Sequence, residues 1–364
     1  MKSNIFLPLI MIGIISCITM ENRMSAKNDI HDKQKPYCSE IADPISSLQP
    51  FNRICRKNDI IYMEHPIENL PVRFQSLDLY YPDVPSDKKL PLIVYFHGGG
   101  WVTNHKSGKR EINIGNNIAA AGYVFASVGY ELASEKNPTY PKNINQCIES
   151  VIFLIKNSAK FGIDNSSYSI MGASAGGHLA LMVAFAGNNE KFNRQKFHLS
   201  FKSVIDLYGI TNLNTRVYSK DDGTPTTRLK DGNSYIYTGV KRNSNPDLWA
   251  EASPVNYLRS DIPPILIVHS KDDQTVDINQ PKELVGKILS LKQGLQLSDD
   301  LTSNKTVYVS SIKKKEIVFI QMLKAGHAFS LDYASDGRML ENIDKVSSLK
   351  REVISFLNST LKGS

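Results

Sequence analysis

Two short runs, Pro91-Leu92-Ile93-Val94-Tyr95-Phe96 and Tyr123-Val124-Phe125-Ala126-Ser127-Val128, are apolar almost throughout. Runs of this length without polar alternation mark strands buried on both faces of a sheet. A helical stretch from about Glu111 to Ala121 connects them. The next helix, about Asn143 to Lys160, puts Ile144, Ile148, Val151, Ile152, Ile155 and Ala159 on one stripe. The pattern then repeats. Strands are expected at Tyr168 to Met171, Ser203 to Tyr208, Pro264 to Val268 and Glu316 to Gln321, with helices after Ser174, from Pro281 to Ser290 and near Val346 to Leu361. Ahead of them, Ile60 to Met63 and Phe74 to Tyr81 read as an opening hairpin or edge pair. Strands alternating with helices imply right-handed crossovers, hence an α/β fold with a mostly parallel central sheet and helices on both faces. No internal repeat interrupts it, so residues 56–364 are expected to form one domain.

Two stretches break the alternation. Residues 212–246 are rich in Gly, Thr, Asp and Asn with interspersed Tyr, too long and polar for a simple connection, and are expected to form a small cap or lid. Residues 292–315 form a polar insertion before the last strand.

The amino terminus has a different character. After Lys2 comes an apolar run from Ile5 through Ile15, broken only by Pro8 and Gly13 and followed by Ser16-Cys17. That is short for a membrane span and suits a signal-peptide core. Ile14-Ile15-Ser16-Cys17 resembles a bacterial lipobox, which implies that residues 1–17 are a lipoprotein-type signal ending at a lipid-modified Cys17, and that the protein is exported and membrane-tethered. An ordinary signal peptide and an uncleaved anchor are the alternatives. Residues 18–55 are polar with mixed charges and read as a tether. In an oxidising compartment Cys38 and Cys55 could pair across it, leaving Cys147 as a buried thiol.

Composition excludes little, with 41% hydrophobic and 22% charged residues among 364. The net charge of +7 raises the question of nucleic acid, but the Lys and Arg residues are scattered and the densest run is Lys313-Lys314-Lys315. No nucleic-acid partner is expected. No His-Glu-x-x-His, paired Cys-x-x-Cys or Walker-type loop occurs, so no metal or cofactor is expected.

The chemistry lies in Gly172-Ala173-Ser174-Ala175-Gly176, placed where a β-prone run gives way to a helix. A sharp strand-to-helix turn lifts one side chain to its apex and crowds its neighbours, which is why small residues flank Ser174. A serine hydroxyl is a weak nucleophile, so it needs a base and an oxyanion site. His97-Gly98-Gly99-Gly100-Trp101 follows the first buried strand and offers unscreened backbone N–H groups. The base should be a histidine late in the chain, after the acid. Of the eight histidines, His327 in Ala325-Gly326-His327-Ala328-Phe329 holds that place. The acid should follow the Pro264 to Val268 strand, where Asp272, Asp273 and Asp277 compete; spacing favours Asp273.

Together these motifs resemble the α/β-hydrolase fold, and within it the serine esterases similar to hormone-sensitive lipase and the bacterial feruloyl and acetyl esterase (carboxylesterase) group. The matching pieces are the His97 to Trp101 loop, Gly172 to Ala180, Ala252-Ser253-Pro254, the Asp273 to Val276 turn and Gly326-His327, over about Ile60 to Leu361. The resemblance implies a catalytic triad of Ser174, Asp273 and His327, with an oxyanion hole from the N–H groups of Gly99, Gly100 and Ala175. It implies a carboxylic-ester hydrolase acting on a small-molecule or polysaccharide-linked ester. Short acyl groups such as acetyl are expected, because 212–246 has no continuous apolar run to line a long-chain tunnel. Amide or formamide hydrolysis of the kynurenine formamidase kind, or peptide hydrolysis, could run on the same triad; a non-catalytic binding protein on this scaffold is the remaining reading. The chain departs from the group at Tyr130-Glu131-Leu132, where Tyr-Arg-Leu is frequent, and at Gln146, where an acid is frequent. That puts in doubt the ion pair that braces this region.

Overall fold

The computed structural model describes residues 37–40, 48–85, 87–297, 305–311, 314–340 and 348–362. Cys17 and the lipobox lie outside them, as do the first residues of the expected 346–361 helix. Among the described residues one eleven-stranded sheet organises the fold. Its strands are β1 (Tyr37–Glu40), β2 (Arg53–Ile61), β3 (Ser76–Pro82), β4 (Leu90–Phe96), β5 (Val124–Val128), β6 (Ile163–Ala173) and β7 (Val204–Leu207). A separate hairpin pairs β8 (Val217–Ser219) with β9 (Pro225–Leu229). The sheet is completed by β10 (Ile265–Ser270), β11 (Gln296–Leu297), β12 (Lys305–Ser311) and β13 (Lys314–Met322).

The spatial order is β1-β2-β3-β5-β4-β6-β7-β10-β13-β12-β11. From β5 to β13 every pairing is parallel. The flanking strands pair antiparallel, β1-β2-β3 at one edge and β12-β11 at the other.

Alternation along a fully buried strand sends successive side chains to two different cores. Leu92, Val94 and Phe96 of β4 join Val124 and Ala126 of β5 on one face. That face is covered by α2 (Lys142–Lys156), α3 (Ala175–Ala186) and α6 (Asn279–Leu291), through Ile144, Ile148, Leu179, Met182 and Leu284. Ile93, Tyr95 and Phe125 point to the opposite face, under α1 (Lys109–Ala120) and α7 (Leu349–Leu357), through Ile114, Ile118, Val353 and Ile354. The remaining helices, α4 (Gly232–Thr238) and α5 (Pro246–Glu251), lie in and just after the expected cap. Among the described residues no helix is long and apolar enough to cross a membrane.

The far end of the expected 18–55 tether needs correction. Tyr37–Glu40 and the first residues of Arg53–Ile61 are paired sheet strands, with Cys38 opposite Cys55 and a disulfide joining them. Edge strands are held by backbone hydrogen bonds and a covalent link, neither of which leaves a hydrophobic period in the sequence. The 292–315 insertion likewise contains β11 and β12, which extend the opposite edge.

Candidate active site

Ser174 stands between the end of β6 and the start of α3, with φ 55° and ψ −122°. A side chain is rarely tolerated in this backbone region, and the strain is held by the surrounding bonds. The Ser174 N–H donates to the Leu207 carbonyl (2.8 Å) and its carbonyl accepts from His178 N (3.0 Å). The flanking glycines are steric requirements. A Cβ on Gly172 would run into the Gly176 carbonyl, and one on Gly176 into the Phe96 carbonyl at the end of β4.

The structure brings Ser174, His327 and Asp273 into one hydrogen-bonded chain. Ser174 Oγ lies 2.8 Å from His327 Nε2, and His327 Nδ1 lies 2.7 Å from Asp273 Oδ2. With a carboxylate facing it, Nδ1 carries the proton and Nε2 is left to accept from the serine hydroxyl. Asp273 Oδ1 accepts from the N–H groups of Thr275 (2.7 Å) and Val276 (2.9 Å). Burial works against its charge, but His327, the neighbouring His269 and the Val276 N–H outweigh it and hold the carboxyl below the usual aspartate range.

The competing aspartates are committed elsewhere. Asp272 Oδ1 accepts from Ser270 Oγ (2.5 Å) and Gly326 N (2.9 Å), so it clamps the loop carrying His327. Asp277 accepts from Val217 N (3.1 Å) and from Asn279 N (3.1 Å) at the start of α6.

The glycine loop after β4 is folded for N–H exposure. Gly99 and Gly100 have φ 123° and 59°, and the Val102 and Thr103 N–H groups both return to the Gly99 carbonyl at 3.1 Å. That leaves the Gly99 and Gly100 N–H groups without an acceptor among the described residues. Ala175 is the first residue of α3, where no intrahelical acceptor exists. Gly99, Gly100, Ser174 and His327 all line one cavity of about 650 Å³.

Other histidines have structural partners. His97 Nδ1 meets the Gly98 carbonyl (2.8 Å) and its ring stacks on Tyr130 at 4.3 Å. His178 Nε2 donates to the Ala252 carbonyl (2.7 Å), which gives Ala252-Ser253-Pro254 its place beside the elbow helix. Burial pushes both His97 and His178 down to about 4. His269 donates Nε2–H to the Val276 carbonyl (2.8 Å), and burial lowers it too. The sequence departures also find an arrangement. Gln146 Oε1 accepts from Glu131 N (2.9 Å), and the Glu131 carboxylate meets Lys142 Nζ (3.0 Å) and Asn137 Nδ2 (2.7 Å). Glu131 is thus tied to α2 by a hydrogen bond to Gln146 and an ion pair with Lys142.

Several contributors left little trace in the sequence. Tyr208, with φ 45°, sets its ring edge-on to His327 at 4.9 Å and donates to the Phe329 carbonyl (2.7 Å), fixing both sides of the histidine loop. The 212–246 segment supplies Arg216, Lys230, Gly232 and Asn233 to the cavity wall. It is pinned by Tyr237, which stacks on the buried Trp101 at 4.6 Å. A β-branched or aromatic signal after a strand could have drawn attention to Tyr208. Nothing local marks Arg216.

A parallel sheet wrapped by helices, with a strained serine at a strand-to-helix turn, defines an α/β-hydrolase. The BD-FAE family matches residues 77–288, more than half of the chain, and the chain belongs to that family. It is 23% identical over 296 residues to Esterase LipC of Mycobacterium tuberculosis, a match covering 80% of this chain and 64% of that protein. The chain spans between 51% and 64% of the lengths of the first three curated relatives it matches. Among solved structures it is similar to a truncated carbohydrate esterase from gut microbiota, with TM-score 0.61 and 19% identity over 84% of this chain and 96% of that one. It is also similar to carboxyl esterase 2 from Tuber melanosporum, with TM-score 0.58 and 20% identity over 90% and 89% of the two chains.

Proposed function

We propose that the protein is a serine carboxylic-ester hydrolase acting on short acyl groups such as acetyl. The observation that carries this reading is the continuous Ser174–His327–Asp273 hydrogen-bond chain at 2.8 and 2.7 Å, opening onto a cavity edged by free backbone N–H groups. The esterase names of its relatives and fold neighbours support it.

Ser174 Oγ attacks the ester carbonyl carbon as His327 Nε2 takes the hydroxyl proton. Asp273 holds the imidazole in the required tautomer and balances the imidazolium. The tetrahedral oxyanion is received by the N–H groups of Gly99, Gly100 and Ala175. His327 returns its proton to the leaving alkoxide, giving the alcohol and an acyl-Ser174. A water then gives a proton to His327 and its oxygen attacks the acyl carbon. Collapse releases the carboxylic acid and restores the serine O–H.

A p-nitrophenyl ester chain-length series with wild type and Ser174→Ala tests this. Hydrolysis should fall off beyond short acyl chains and vanish in the variant; equal rates for the two proteins overturn it. Preferential cleavage of N-formylkynurenine would reassign the same triad to amides. The lipobox-like Ile14 to Cys17 supports an exported, lipid-anchored enzyme. Labelling with a radioactive fatty acid should be lost in Cys17→Ala, and persistence of label in that variant rejects the anchor.

A further inference from the structure

The cavity holding Ser174 carries an imbalance of charge that the ester reaction does not require. Among the described residues its wall includes four cationic side chains, Lys109, Arg110, Arg216 and Lys230, against a single carboxylate, Glu111. Arg110 is neutralised by Glu111 at 3.1 Å. Lys109 is exposed at the rim. The unusual pair comes from the cap segment.

Arg216 is only 6% exposed, yet no carboxylate lies within ion-pairing distance of it among the described residues. Its guanidinium donates to neutral oxygens, Ser234 Oγ (3.3 Å) and the Thr275 carbonyl (3.0 Å), and its Nε has no hydrogen-bond partner among the described residues. Lys230, half-buried beside it, also donates only to carbonyls among the described residues, those of Thr275 (3.0 Å) and Gln274 (3.3 Å). The nearby Asp277 spends its two oxygens on the Val217 and Asn279 N–H groups. A buried cation is costly unless an anion meets it, and a guanidinium retained at the wall of a reaction cavity offers its fork to a bound carboxylate.

We propose that Arg216 and Lys230 form a subsite for a carboxylate on the substrate, so that the preferred esters are anionic. This rests on the ester-hydrolase reading and adds to it the class of substrate. Burial pushes Arg216 down to about 10 and also lowers Lys230; Asp277 and Asp273 act on both in the opposite direction but do not outweigh it. The carboxylate can reside in the alcohol, as on a uronic acid, or at the far end of the acyl group. The chemistry met by the guanidinium is the same.

The test uses two matched pairs of esters on the full-length protein. 4-Acetoxybenzoate and its methyl ester place the charge in the alcohol; 4-nitrophenyl hydrogen adipate and its methyl ester place it in the acyl group. In at least one pair wild type should favour the carboxylate member by about tenfold or more in kcat/KM, as expected for one charge-assisted contact. That preference should weaken with added salt, fall to about unity in Arg216→Gln and Lys230→Gln, and return in part in Arg216→Lys. Whichever pair shows it identifies the charged half of the substrate. No preference in either pair, or an undiminished preference in Lys230→Gln and Arg216→Gln, overturns the subsite. Hydrolysis of the neutral esters that is the same in wild type and Ser174→Ala overturns the ester-hydrolase reading instead, so the two failures are separable.

Discussion

Replacing Asp273 by Asn separates the acid's charge from its shape. The aspartate accepts on both oxygens, from the Thr275 and Val276 N–H groups on Oδ1 and from His327 on Oδ2. An asparagine can keep the first two bonds through its carbonyl oxygen. Its NH2 group then faces His327 Nδ1, and donor would meet donor. The imidazole escapes by moving its proton to Nε2, which directs an N–H at Ser174 Oγ where a lone pair is needed. The expected loss is about 10⁴-fold in kcat, equivalent to roughly 5 kcal/mol of transition-state stabilisation. Folding should change by only about 1 kcal/mol, since the backbone bonds survive. Steady-state hydrolysis of p-nitrophenyl acetate, run beside urea unfolding of both proteins, reads the two quantities separately. A drop of less than about tenfold in a variant with unchanged stability would refute the assigned role. So would an equal drop in Asp272→Asn, which is expected to lose only a few-fold because its carbonyl can still hold Gly326 N–H.

Stability should fall on acidification. His97 and His178 are neutral when folded, with values of about 4 against 6.5 unfolded, so the unfolded chain binds more protons in that interval. Their contribution is complete above 6.5 and is lost as pH drops towards 4, at up to roughly 3 kcal/mol per pH unit for the pair. Urea midpoints across that range check the sign, and a flat profile contradicts the burial argument. Gly176→Ala should cost well over about 2 kcal/mol or abolish soluble expression, because its methyl group meets the Phe96 carbonyl; a stable, active variant would show that the elbow can relax. Reducing the Cys38–Cys55 bond should leave ester turnover within about twofold, as it joins edge strands remote in sheet order from β6. Tyr237→Ala, which removes the stack on Trp101, should raise KM more than it lowers kcat by loosening the cap; a pure kcat effect would deny that role.

The central sheet was legible in the sequence because each parallel strand is buried on both faces and so must be apolar almost throughout. The apolar runs Pro91 to Phe96 and Tyr123 to Val128 begin within one residue of β4 and β5 and end where they do. Ser174, His327 and the glycine loop were legible for a related reason: sharp turns at the ends of buried strands demand particular small residues next to one another in the chain. Asp273 was only favoured over its neighbours, since three carboxylates in one turn differ by which backbone N–H groups they meet. Only the tertiary structure separates their contacts, by setting Asp273 against His327, Asp272 against Gly326 and Asp277 at the start of α6. It also decided the edge strands and the company of Arg216. Those depend on partners far away in the chain, and local spacing carries no record of them. Sequence determines what a turn can hold; folding determines which distant groups face one another across the cavity.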